Sequence, residues 1–282
     1  MIEVLSPCKI NLFLYITGKR ADGFHDLQSL FCLLNHGDTM RFEVQDDNQG
    51  RIELDNTMGM ALEDNLIYKA VKLLQEHSNK AFSVAIGVDK VLPMGGGLGG
   101  GSSNAATTLL MVNHLAKLNI NKDTLLNLGA KLGSDVPFFV GGHNAYVEGR
   151  GEFLYPKDIA DRYYLVVTPA VHVSTKDVFT DPELKNYFSP KRSFDELLSV
   201  PYGNDCISIV RKNFCEIGHT LDRLVKYGDA AMSGTGASCF VAFDDLAQAQ
   251  YAQTQLASEL DCKFSSFVAK SINCSPVIRA IS

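Results

Sequence analysis

The chain has 282 residues, a formal net charge of −6 and 46% hydrophobic residues. This length is enough for two domains with cores of their own, and the acidic balance excludes a general attraction to nucleic acid. The seven cysteines are scattered and form no Cys-x-x-Cys pair; this argues against a disulfide framework or a zinc site and for reduced thiols in the cytoplasm.

From the N-terminus, residues 10–16 alternate, with Ile10, Leu12, Leu14 and Ile16 on one face and Asn11, Phe13 and Tyr15 on the other. Met40, Phe42 and Val44 repeat the pattern, as do Ile52 and Leu54. These are expected to be strands of a sheet with one buried face. The segment 10–16 is too short, and too poor in small residues at its end, for a signal peptide. Asp64 and Asn65 are expected to cap a helix whose Ile67, Ala70, Val71 and Leu74 face a core. Phe82, Val84, Ile86 and Val88 alternate as a further strand. Leu125, Leu128 and Leu132 mark a helix that stops at Gly133. Past a glycine-rich hairpin at Gly149 and Gly151, the break at Pro156-Lys157-Asp158 is the expected boundary between an N-terminal domain, 1–156, and a C-terminal domain, 157–282. The second half reads as a strand over 163–167, helices near 205–227 and 245–259, and strands near 237–243 and 265–269. Residues 185–203 read as a surface excursion. Strands first and helices interleaved later predict an α+β fold.

The densest signal is Pro93-Met94-Gly95-Gly96-Gly97-Leu98-Gly99-Gly100-Gly101-Ser102-Ser103, with six glycines in seven positions. So much glycine has an entropic cost that a fold carries only for a reason. It follows the strand ending near Val88. It precedes a helical stripe of Ala105, Leu109, Val112 and Ala116, with Ser102 and Ser103 as expected caps. Strand, glycine loop and helix N-terminus together converge backbone N–H groups on one spot suited to phosphate. The standard P-loop is excluded, because Ser102 and not a lysine follows Gly101. Gly95, Gly97 and Gly100 fit G-x-G-x-x-G, but Leu115 to Ile120 lacks the acidic residue a dinucleotide site requires. The His-Arg-Asp and Asp-Phe-Gly elements of protein kinases do not occur. The uncharged run from Val91 to Ala116 is too rich in glycine and polar residues to span a membrane.

Pro93 to Ala106 resembles the central motif of the GHMP kinases, a superfamily of small-molecule kinases. Ser6-Pro7-Cys8-Lys9-Ile10-Asn11-Leu12 resembles its first motif and Ser233-Gly234-Thr235-Gly236-Ala237-Ser238 its third. Within the superfamily, Gly18-Lys19-Arg20-Ala21-Asp22-Gly23-Phe24-His25-Asp26-Leu27 is similar to the G-x-R-x-D-G-Y-H-x-L segment of the branch that phosphorylates 4-diphosphocytidyl-2-C-methyl-D-erythritol. Gly133 to Phe139 and Asp177 to Leu184 are similar to other stretches of that branch. The likeness runs from about residue 5 to about residue 278, with Phe24, Cys8 and Lys176 where the branch usually has Tyr, Ala and Pro.

The resemblance implies a two-domain GHMP fold. Its N-terminal domain would be like ribosomal protein S5 domain 2 and its C-terminal domain ferredoxin-like, with the site between them. It implies ATP with Mg²⁺ as phosphoryl donor and a small alcohol as acceptor; a monomer or weak homodimer is expected. Residue by residue it carries over Asp135 as the base and Lys9 beside it. Asn65, Leu66, Lys90 and the stretch from Pro93 to Ser103 (Met94, Gly95, Gly96, Gly97, Leu98, Gly99, Gly100, Gly101 and Ser102 among them) would hold ATP, with hydroxyls of Ser102 and Ser103 toward phosphate or Mg²⁺. Asn11, Phe24, His25, Phe31, Thr175 and Phe179 would hold the acceptor, His25 and its neighbouring aromatics reading a cytosine. Gly234 and Gly236 would let backbone approach the cleft. By their neighbours alone, Asp135 is equally fit to cap a helix, Lys9 to end a strand in solvent, His25 to sit in a turn, and each Phe to pack a core. A kinase for a smaller alcohol, such as homoserine or mevalonate, and a non-catalytic ligand sensor on the same fold are the competing readings.

Overall fold

The protein is described from a computed structural model, for residues 1–57, 59–184, 187–260 and 262–282. Two long strands, β1 (Ile2–Lys19) and β2 (His25–Gln45), form an antiparallel hairpin at its centre. The short strand β3 (Ile52–Leu54) pairs in parallel with β4 (Ser83–Asp89), and β4 runs antiparallel to β2. Between them lies α1 (Leu66–Ser78), which buries the stripe Ile67, Ala70, Val71 and Leu74. After β4 come α2 (Gly100–Leu115), α3 (Lys122–Leu132), the one-turn helix α4 (Val136–Gly141) and the hairpin β5 (Ala145–Gly149) and β6 (Phe153–Pro156). β5 joins the other edge of β2. The helices lie on one side of this sheet around Phe42, Ile86, Leu109 and Phe138.

The second half starts with β7 (Tyr163–Pro169) and α5 (Thr175–Thr180). It continues through α6 (Phe194–Leu198), α7 (Ile207–Asn213), α8 (Cys215–Leu224), β8 (Ala231–Met232), β9 (Cys239–Phe243), α9 (Leu246–Glu259) and β10 (Phe264–Ile272). The antiparallel order β8-β9-β7-β10 places α8 and α9 over Leu165, Val167 and Val241. At its end β10 pairs with β2, Ser271 opposite Leu34, so the two sheets run into one ten-stranded sheet. The last helix, α10 (Pro276–Ile281), packs back on α2, burying Val277. The result is an α+β fold of mixed sheet and helices. Among the described residues no helix is long and apolar enough to cross a membrane.

Four local expectations are corrected. β1 is buried on both faces, because Tyr164, Val166 and Phe240 of the second half cover Ile10, Leu12, Phe13 and Tyr15. Register shifts between Asn11 and Leu14 then break strict alternation. The helix expected over 205–227 is interrupted at Phe214, whose φ of −135° is extended. The excursion at 185–203, of which 185 and 186 lie outside the described residues, contains α6. A full capping box of Ser193 and Glu196 starts that helix, and Leu197 is completely buried. Finally, α2 begins at Gly100, earlier than caps at Ser102 or Ser103 would have it, with Gly99 in the cap position at φ +71°.

Candidate active site

The glycine loop links β4 to α2, and Gly95, Gly97 and Gly99 adopt φ values of +72°, +75° and +71°. L-residues with a side chain rarely adopt this region. A Cβ on Gly97 would stand 2.4 Å from the Ser233 carbonyl oxygen, and one on Gly99 would stand 2.8 Å from the ring of Phe139. These two glycines are therefore required by turn geometry and packing before any ligand arrives. Gly101 differs: among the described residues a Cβ there would meet only Leu66, at 3.8 Å. It would enter a cleft of about 310 Å³ lined by the loop, by Lys90, Ser102 and Asn104, and by the start of α1 at Asp64 to Ile67. Gly100, Gly101 and Ser102, the first residues of α2, line this cleft, and the first N–H groups of a helix have no partner within it, the arrangement that favours an anion.

Asn65 caps α1 by accepting from the Ile67 N–H at 2.9 Å. Its buried side-chain Nδ2 has no partner among the described residues, a donor that a bound ligand would satisfy. Ser102 is partly exposed in the cleft. Ser103 is fully buried, donates to the Pro7 carbonyl at 2.6 Å and pairs with the Ser6 hydroxyl, so it ties α2 to β1 and does not open on the cleft.

At the other side of the loop, Lys9 on β1 stands 3.5 Å from the Asp135 carboxylate. Asp135 occupies the cap position of α4 but its side chain makes no cap hydrogen bond. Lys9 is almost wholly buried, and a buried ammonium requires partners. Besides Asp135 it donates to Asn11 Oδ1 at 2.6 Å and lies 4.6 Å over the Phe31 ring. Asn11 in turn donates through Nδ2 to Ser29 and receives, at its backbone N–H, the Ser233 hydroxyl as acceptor. Ser233 also donates to the Gly97 carbonyl. One hydrogen-bonded chain thus joins the first motif, the glycine loop and the third motif.

The remaining residues singled out by sequence divide into two groups. His25 opens β2, is buried, and stacks on Phe179 with ring centroids 5.5 Å apart. Burial, with Lys19 nearby, pushes its pKa down, so the ring is neutral at pH 7. Its Nε2 has no hydrogen-bond partner among the described residues. Thr175, first residue of α5, meets Thr235 of the third motif at 3.1 Å. Phe24 and Phe31 are not brought into the His25–Phe179 stack: Phe24 is 56% exposed with the Arg150 guanidinium over its ring, and Phe31 packs edge-on to Phe138 in the core.

Sequence reasoning missed Asp38. Its fully buried carboxylate accepts from Lys90 Nζ at 2.6 Å, from the Val91 and Leu92 N–H groups at 2.9 and 3.0 Å, and from Asn104 Nδ2 at 2.9 Å. The signal was present. Asp38 is in phase with Met40 and Phe42, the inward-facing residues of β2, and a carboxylate in a core register has a reason to be there.

Comparison with known proteins bears on this arrangement. Residues 65–143 match the family model of the GHMP kinases N terminal domain, and residues 192–262 that of the GHMP kinases C terminal. A crystal structure of 4-(cytidine 5'-diphospho)-2C-methyl-D-erythritol kinase is similar to the chain with a TM-score of 0.83 at 29% identity, covering 96% of this chain and 99% of that one. Homoserine kinase from Cytophaga hutchinsonii aligns with a TM-score of 0.71 at 16% identity, over 97% of this chain and 95% of that one. Mevalonate kinase of L. major, in complex with R-mevalonate, aligns with a TM-score of 0.65 at 15% identity, over 98% and 97%. At such identities the last two share the fold. With both family domains matched in order over more than half its residues, and a glycine loop, a Lys–Asp pair and a third-motif turn bonded together, the chain belongs to the GHMP kinases, a family of small-molecule kinases.

Proposed function

We propose that the chain transfers the γ-phosphoryl group of ATP to the 2-hydroxyl of 4-(cytidine 5'-diphospho)-2C-methyl-D-erythritol, a step of non-mevalonate isoprenoid biosynthesis, in the cytoplasm. The observation that carries the substrate reading is the buried His25 on the Phe179 ring, with an Nε2 that has no partner among the described residues, because an alcohol without a base has no use for it. The 29% identical kinase of that name supports the same choice.

In this reading the loop N–H groups and the α2 N-terminus hold the donor phosphates, and Lys90 adds a positive charge at the same cleft. Asn65 and Leu66 border the nucleoside end, where the unpartnered Asn65 amide finds an acceptor. Mg²⁺ carried on the phosphates would neutralise charge there; it takes few protein oxygens, and the Ser102 hydroxyl would be one that fits. Asp135 accepts the proton of the attacking hydroxyl. Lys9, 3.5 Å from that carboxylate, stabilises the oxygen as it attacks. Asn11, with both ends of its amide engaged, fixes Lys9. The retained Lys9–Asp135 pair argues against a non-catalytic sensor. The division into domains 1–156 and 157–282 goes with this reading and sets the site between them.

The test is incubation with ATP, Mg²⁺ and the cytidyl substrate, followed by mass spectrometry. The reading requires ADP and a product heavier by one phosphoryl group. ADP formed with homoserine or mevalonate and none with the cytidyl alcohol would replace it with the smaller-alcohol reading.

A further inference from the structure

We propose that Asp38 is the positioning residue of the phosphate cleft: its buried carboxylate sets where the Lys90 ammonium and the start of the glycine loop stand, and ATP affinity depends on it. The inference rests on the ATP side of the reading above and is independent of which alcohol is phosphorylated.

The two oxygens of Asp38 divide the work. Oδ1 accepts from the Val91 and Leu92 N–H groups, which fixes the backbone where the chain leaves β4 for the glycine loop. Oδ2 accepts from Lys90 Nζ and from Asn104 Nδ2, and Asn104 stands in the second turn of α2. One carboxylate thus spans the strand end, the lysine beside it and the helix whose N-terminus borders the cleft. The side chain of Asp38 is 0% exposed and that of Lys90 is 16% exposed, so the carboxylate is sealed from the cleft while the ammonium looks into it. A Cβ on Gly100 would stand 3.2 Å from Lys90 Nζ, which places the ammonium against the first residue of α2.

A lysine has a flexible four-carbon stem and is usually a loosely placed charge. Here one donor goes to Asp38, and the other two, with no partner among the described residues, are available to phosphate oxygens. The pair is net neutral, so Asp38 does not strengthen phosphate binding by charge. Its contribution is placement: the lysine meets the phosphates with its rotamers already chosen, which lowers the ordering cost of binding. The two possible roles therefore predict opposite signs. If Asp38 acted only as a counter-charge, removing its charge would tighten ATP. If it positions Lys90, removing it weakens ATP.

Asp38→Asn separates the halves of the site. It keeps an acceptor for Val91 and Leu92 and turns an amide N–H₂ toward the Lys90 and Asn104 donors, releasing the lysine. Calorimetric titration of the full chain with the non-hydrolysable ATP analogue AMPPNP and Mg²⁺ should show affinity at least tenfold weaker in Asp38→Asn and in Lys90→Gln. The double variant should be within about twofold of the weaker single one, since both act through the same ammonium. Should Asp38→Asn give no cooperative melt, Asp38→Ser, which is smaller and sets no amide against Lys90, takes its place in the same titration. Tighter or unchanged binding in the Asp38 variant, unchanged binding in Lys90→Gln, or fully additive losses in the double variant would each overturn the proposal. Because binding and not turnover is read, an error in the choice of alcohol leaves the result standing.

Discussion

Asp135→Asn isolates the proposed proton acceptor with little disturbance of its surroundings. The substitution conserves shape and removes one negative charge 3.5 Å from Lys9. Two unit charges at that distance interact by about 5 kcal/mol at an effective dielectric near 20, and the partial exposure of Asp135 screens this to a fraction. Lys9 is not stranded, because it keeps the Asn11 oxygen at 2.6 Å and the Phe31 ring. Folding stability should therefore fall by no more than about 1 kcal/mol. The chemical step should suffer far more. An amide cannot take the hydroxyl proton, and a general base contributes about 10²- to 10⁴-fold, or about 3 to 5 kcal/mol of barrier. Asp135 is not among the residues lining the glycine-loop cleft, so ATP affinity should stay within about threefold. Steady-state turnover and nucleotide titration on the same preparation read both quantities. Turnover within tenfold of wild type, or a loss of ATP affinity that matches the loss of rate, would refute the assignment of Asp135 as base.

Gly99→Ala should destabilise the fold by about 2 to 5 kcal/mol, from about 1–2 for a side chain at positive φ and about 1–3 for overpacking against Phe139; a denaturant midpoint equal to wild type would contradict the packing role. Gly101→Val, helical and with Leu66 the one described neighbour of the new Cβ, should leave the melting temperature within a few degrees while weakening ATP at least tenfold by filling the cleft; calorimetry decides. His25→Ala should raise KM for the cytidyl substrate about threefold to tenfold, the cost of one hydrogen bond, with KM for ATP nearly unchanged. On acidification, His25 and His36, both with pKa values lowered by burial, resist protonation in the folded state while the unfolded chain takes up protons below about pH 6.5. Stability is then fully present above that pH and falls as pH drops through the lowered values. A urea midpoint independent of pH between 7 and 5.5 would contradict this.

Local patterning made much of the fold legible. The helix over α1, with Asn65 at its cap, and the strand of Val84, Ile86 and Val88 stand where their periodicity puts them. So do α3, ended by Gly133, and α9. What escaped depends on tertiary contact. Nothing local says that β1 is covered on both faces, because the residues that cover it lie more than 140 positions away. The Lys9–Asp135 pair spans 126 residues; the motifs suggested it, and only folding brings it to 3.5 Å. The glycine loop carried a double meaning. Its composition pointed to phosphate, yet Gly97 and Gly99 are also demanded by Ser233 and Phe139, partners that no sequence window contains. Phe24 and Phe31 look alike in sequence beside His25 and Phe179, but solvent takes one and the core the other.

The proposed function requires this site to join a phosphate cleft to a base-reading pocket around His25 and Phe179. The most direct measurement is kcat/KM for 4-(cytidine 5'-diphospho)-2C-methyl-D-erythritol against that for 2C-methyl-D-erythritol itself, which keeps the acceptor hydroxyl and lacks the cytidine diphosphate. The ratio should be at least about 10³, because binding of the remote base and diphosphate orients the hydroxyl toward Asp135. His25→Ala should narrow that ratio. Equal values for the two alcohols would contradict the proposed function.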